Sequence, residues 1–188
     1  RNCEFADFDL TLYPAEVSPT YGISPRSRMR EIFEYCRCYA DDFGKCSDSL
    51  FMHGATGLGK THLSLAIANV VVEKGFEVIY GSAQNLLSSL EREKFGGGSG
   101  EREKELLDCD LLIIDDLGSE FSTQFTVACI YNIINTRINL GKPVIISTNL
   151  TGEELEAKYT QRITSRIIGS YVSLLFIGKD IRQLKKFY

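Results

Sequence analysis

Gly54, Gly59, Lys60 and Thr61 stand in the spacing G-x-x-x-x-G-K-[ST], within LFMHGATGLGKT at 50–61. Each residue type has a task toward a polyphosphate. Glycines let successive backbone N–H groups converge on phosphate oxygens, where a Cβ would block the approach. Lys60 brings a point charge to the β- and γ-phosphates, and the Thr61 hydroxyl suits Mg²⁺. Ala55, Thr56, Gly57 and Leu58 complete the loop. His62 follows on a helix whose dipole adds positive potential at the same end. With Gly at about 7% of residues, an ordinary glycine turn meets the four fixed positions in roughly one such chain in a hundred. A flanking strand and helix make that coincidence rarer, so nucleotide binding is the reading.

A second constellation is LLIIDD at 111–116. Four apolar residues describe a strand buried on both faces, with two acids at its C-terminal end, where open α/β sheets bind ligands. Asp115 would hold Mg²⁺, and Asp116 would orient and deprotonate a water. The plain alternative is an acidic turn after a strand. A third candidate is Asn149, closing IISTN. A neutral amide at a strand mouth positions water without competing for metal, although Asn there is commonly a turn residue.

Elements must carry these residues to one place. Residues 1–26 read as an irregular arm anchored by Phe5, Phe8, Leu10, Leu12 and Tyr13, with three prolines against a long helix. Ser27 is expected to cap a helix through about Phe43 that Gly44 ends. Strands are expected at 50–53, 77–80, 111–115, 143–147 and 172–176. Helices are expected at 60–73, 82–93, 101–107 and 123–140, then two short ones at 151–158 and 160–168, the second ended by Gly169. FGGGSG at 95–100 reads by composition as a flexible linker. Alternating strands and helices predict an α/β fold with a five-stranded parallel sheet covered on both faces.

The whole chain has 188 residues, 44% of them hydrophobic and 24% charged, which suits one globular domain. Its net charge of −4 argues against a strongly basic nucleic-acid binder. No apolar run reaches membrane-span length, and the acidic N-terminus lacks signal-peptide order. None of the six cysteines forms a C-x-x-C pair. Reduced, mostly buried thiols in a cytoplasmic protein are expected instead of zinc. His53 and His62 flank the loop without a third ligand in evidence. The chain does not begin with Met, so a fragment of a longer protein is expected.

GATGLGKTHL, LLIIDDLG, ISTN and RITSRI, in this order, resemble the AAA+ ATPases. More closely they resemble the DnaC/DnaI-type loaders of bacterial replicative helicases and the related IstB-type transposition helper ATPases. The resemblance covers nearly the whole chain, including Tyr13-Pro14 and Ser24-Pro25-Arg26. It implies a P-loop NTPase three-layer αβα sandwich at 27–188, an AAA+ core without a full lid domain. It also implies a packed arm at 1–26 and a helicase-binding domain upstream.

The same resemblance implies ATP/ADP and Mg²⁺ as ligands, with slow hydrolysis stimulated by assembly or DNA. Arg166 matches an arginine finger reaching the γ-phosphate of a neighbouring subunit, and Arg162 could support that interface. Arg182 matches a sensor 2 arginine contacting nucleotide in cis; read alone, it is equally a solvated arginine. Phe8, Leu10 and Tyr13 could help form an adenine pocket. This sequence has Asp-Asp where many AAA+ proteins have Asp-Glu, a pair that the loaders share. The implied partners are a replicative helicase, single-stranded DNA and further copies of the chain through Arg166, with no membrane. No basic cluster marks a DNA path, and Lys185-Lys186 is too short to count. A small-molecule kinase would need a mobile lid, and a non-hydrolysing scaffold would not need Lys60, Asp115 and Asp116 together.

Overall fold

The chain is described from a computed structural model over residues 3–44 and 47–182. After two single turns at Phe5–Asp7 and Leu10–Leu12, helix α1 runs over Pro25–Asp41. Then come β1 (Ser49–Gly54), α2 (Lys60–Glu73), β2 (Val78–Ser82), α3 (Ala83–Phe95), α4 (Glu101–Asp108) and β3 (Leu111–Leu117). The chain continues through α5 (Gln124–Leu140), β4 (Val144–Thr148), α6 (Gly152–Ser170) and β5 (Tyr171–Phe176). All five strands pair in parallel, in the order β2-β3-β4-β1-β5.

Alternation along the strands sorts their side chains into two cores. Leu50, Met52, Leu111, Ile113 and Ile145 face one way, under α1, α2 and Tyr13 of the arm. Phe51, Leu112, Ile114, Val144 and Ile146 face the other, under α3 to α6. Residues 111–114 are at most 1% exposed, and each such side chain contributes about 1.5–3 kcal/mol through burial. The α/β sandwich expected from the alternation is therefore the observed one.

Several boundaries differ, for local reasons. Ser24, not Ser27, caps α1: its hydroxyl accepts from Ser27 N at 3.1 Å, and Pro25 starts the helix where its missing N–H costs nothing. That helix stops at Asp41, short of Phe43. Strand β2 extends to Ser82, which caps α3 instead of belonging to it. The two short helices expected at 151–158 and 160–168 are present as the two arms of α6, divided at Thr160 where φ is 74°; only the stop differs, since the second arm runs past Gly169 to Ser170. The glycine stretch after α3 is a bonded turn, with Gly96 N on Arg92 O and Gly98 N on Glu93 O, both at 2.8 Å. Of the cysteines, only Cys36 and Cys109 are buried among those described; Cys38 is exposed and Cys3 and Cys129 are half-buried. Cys46 and Lys185-Lys186 lie outside the described residues.

Candidate functional site

Strand β1 ends at Gly54, whose φ is 134° and whose added Cβ would fall 2.2 Å from the Phe176 carbonyl oxygen. Only glycine lets the chain leave the sheet there. The loop then returns at Gly59, in the left-handed region with φ 92°, and α2 opens at Lys60. No side chain caps that helix, so its first-turn N–H groups are open to an anion. The Lys60 ammonium donates to Gly54 O at 2.6 Å and Ala55 O at 2.7 Å. Burial pushes its pKa down to about 8, although Asp116 and Asp115 pull the other way.

In front of the loop lies a cleft of about 460 Å³. Its walls carry Lys60, Thr61, Asp115, Asp116, Asn149 and Arg182. Thr56, Gly57, Leu58, Gly59 and His62 line it too, whereas Gly54 and Ala55 stay behind as the carbonyls that hold Lys60. The side chains selected from four separate stretches of sequence thus meet at the C-terminal ends of β1, β3 and β4, with the segment after β5 completing the wall.

The two acids do not follow β3; they lie inside it. Ile114 pairs with Ile146 but Leu117 with Thr148, so β3 carries one residue more than β4 across the acids. Such a bulge re-aims side chains that strict alternation would send to opposite faces. Asp116 takes φ 55°, which aspartate tolerates better than most residues, and its N–H leaves the ladder to bond Ser147 Oγ at 2.9 Å. Asp115, 7% exposed, accepts from Thr61 Oγ1 at 3.0 Å and from Ser147 Oγ at 2.5 Å. Asp116 accepts from Asn149 Nδ2 at 2.7 Å. Hydroxyls and a carboxylate make a hard-oxygen donor set, which fits Mg²⁺.

The arginines separate. After β5, Ile181 N bonds Gly57 O at 3.1 Å and the Asp180 carboxylate packs on the Gly57 Cα, bringing Arg182 onto the cleft. Arg166 is elsewhere. It is half-buried on α6 with its guanidinium 5.6 Å from the centre of the Tyr131 ring, and it does not line this chain's cleft. Arg162, one turn earlier, borders a different cavity between α5 and α6.

The arm sits behind the loop. Tyr13 donates to Leu58 O at 2.8 Å, and Phe8 stacks on Tyr13 while filling the space beside Gly59. Phe8, Leu10 and Tyr13 do not line the cleft itself. His62 Nε2 lies 2.8 Å from Glu4 O and meets Phe8 edge-on, tying α2 to the arm. His53 lies 2.8 Å from Ser173 Oγ, stacked on Phe51.

Two side chains at the site have no motif to announce them. Ser147 bridges both acids, and its position two residues before Asn149 in IISTN is the signal that register could have supplied. Tyr80, on β2, donates to Asp115 Oδ2 at 2.9 Å, and nothing in its local sequence marks it. Beyond β3, a buried Glu120 accepts from Tyr159 Oη and Gly118 N, and Lys158 ties the same loop to α6.

Chromosomal replication initiator protein DnaA of Campylobacter jejuni is 32% identical over 141 residues, covering 71% of this chain and 31% of that one. Replicative helicase loader DnaC of Buchnera aphidicola is 26% identical over 162 residues, 84% of this chain and 65% of that one. The chain thus spans about a third of the length of the first relative and 65% of the second. A crystal structure of the DnaC helicase loader superposes with a TM-score of 0.73 at 23% identity, over 91% of this chain and 97% of that one. The fold is accordingly the P-loop sandwich of the AAA+ proteins. A family model described as IstB-like ATP binding protein matches residues 34–170. That match runs from within α1 to the end of α6 and takes in every side chain described on β1, β3 and β4, and the chain belongs to the IstB-like ATP-binding proteins.

Proposed function

We propose that this chain is the ATP-binding and ATP-hydrolysing AAA+ domain of a DNA replication helicase loader. It assembles as an oligomer on a replicative helicase and single-stranded DNA. The observation that carries the reading is the convergence of Lys60, Thr61, Asp115, Asp116, Asn149 and Arg182 on one cleft. The backbone amides of the loop and the Lys60 ammonium take the phosphates. Thr61 and Asp115 would hold Mg²⁺, which would supply positive charge to the phosphates. Asp116 accepts the proton of the attacking water, and Asn149, already bonded to Asp116, orients that water. Arg182 contacts the nucleotide in cis.

Arg166 supports an intersubunit site because it stands away from its own cleft on α6. A planar cation there suits charge developing on a phosphoryl group held by the next copy. Its occupancy would then report on assembly.

The family description favours one other reading, an IstB-type transposition helper with the same site chemistry. Pull-downs with a replicative helicase and with a transposase separate the two. The shared chemistry is tested by titrating a fluorescent ATP analogue and following phosphate release. Lys60→Ala should lose measurable binding. Asp116→Asn should retain it while losing turnover. Wild-type protein that neither binds nor hydrolyses ATP contradicts both readings.

A further inference from the structure

Asp115 accepts from three hydroxyls, and two of them belong to the cleft wall. The third comes from outside it. Tyr80 is on β2, the edge strand, and Ser82 two residues later pairs with Asp115. Parallel pairing puts Tyr80 over Ile113, on the same face as Asp115, and its long side chain reaches forward to the acid. The hydroxyl donates to Oδ2 at 2.9 Å while Ser147 donates to Oδ1 at 2.5 Å. Each carboxylate oxygen is therefore fixed by a separate neighbouring strand, β2 on one side and β4 on the other.

We propose that Tyr80 is a positioning residue for the metal: its hydroxyl fixes the Asp115 carboxylate in the orientation that receives Mg²⁺, and its ring closes the sheet edge beside that acid. This rests on the ATP reading given above. The geometry separates Tyr80 from a merely packed tyrosine. Tyr80 is 39% exposed, yet its hydroxyl bonds an acid that is only 7% exposed. Thr61 has a different place in the arrangement. Its hydroxyl is a candidate metal ligand and is free to turn from Asp115 to the ion, which leaves Tyr80 and Ser147 to keep the carboxylate still.

Outer hydrogen bonds of this kind typically hold about 10–100-fold in metal affinity. The test is Tyr80→Phe, which removes one oxygen from an exposed ring, with binding of a fluorescent ADP analogue measured against Mg²⁺ concentration and again in EDTA. The expected result is a Mg²⁺ midpoint raised about tenfold, with affinity in EDTA and the unfolding midpoint unchanged. An unchanged Mg²⁺ midpoint overturns the proposal. An equal loss in EDTA also overturns it, because the effect would then be on the loop and not on the metal. If wild-type protein binds the analogue without any Mg²⁺ dependence, the proposal and the metal assignment fall together. If it binds no nucleotide at all, the ATP reading itself fails. Tyr80→Phe behaving as wild type, in a protein whose affinity does depend on Mg²⁺, removes only the role of Tyr80.

Discussion

Lys60 carries two opposite pH dependences. Its ammonium is held by two loop carbonyls in a buried position, and burial lowers its pKa from 10.5 to about 8. A lowered lysine pKa means that the folded protein bears a cost while the group is charged, below about pH 8. That cost fades as pH rises through the folded value toward 10.5. Wild-type protein should therefore gain stability relative to Lys60→Met across that window, read by urea unfolding. Nucleotide affinity should move the other way, weakening about tenfold per pH unit above pH 8 because the phosphates need the cation. Parallel changes in stability and affinity would contradict this role. In the proposed mechanism Asp116 and Asn149 act after binding: Asp116→Asn should cut turnover by about 10²–10⁴-fold with affinity nearly unchanged, in single-turnover assays. These residues were legible in the sequence because their types and spacing are set by phosphate chemistry. Tyr80 and Ser147 were not, because a hydroxyl on a neighbouring strand, β2 for one and β4 for the other, is joined to Asp115 only through sheet register.

Element β3 shows where sequence reading stops. Its apolar run announced a strand, and its two acids announced a site, but strict alternation would turn Asp115 and Asp116 to opposite faces. The extra residue between the pairs at Ile114 and Leu117 resolves this, and no local residue type signals it. Where two hydroxyls compete for a helix start, as Ser24 and Ser27 do at α1, tertiary context chooses between them. Arg137 on α5 is another element-scale device that the sequence concealed. It is fully buried and donates to Leu106 O at 2.9 Å, Cys109 O at 3.0 Å and Pro143 O at 2.9 Å. Those carbonyls belong to the end of α4 and to the turns before β3 and β4, so one guanidinium aligns the entries of two site-bearing strands. Arg137→Met should cost about 3 kcal/mol in urea unfolding, because it strands buried acceptors. A loss below about 0.5 kcal/mol would show that the carbonyls find other partners.

At the scale of the whole molecule, strand order does most of the positioning. Strands β1, β3 and β4 are adjacent in the middle of the sheet, so residues far apart in sequence share one edge of it. Fold class and sheet direction followed from alternating strands and helices alone. Where Arg166 would act did not, since the resemblance supplied that role and one chain holds Arg166 on α6, off its own cleft. An intersubunit finger makes turnover a property of the assembly. The most direct measurement is steady-state ATP hydrolysis by Lys60→Ala protein, by Arg166→Ala protein and by their equimolar mixture, with single-stranded DNA present. A shared site predicts that each variant alone is inactive and that mixing restores a fraction of wild-type turnover, because some interfaces then join an intact loop to an intact finger. Arg166→Ala protein that hydrolyses ATP at the wild-type rate, or a mixture no more active than its parts, would contradict an ATP site completed by a neighbour.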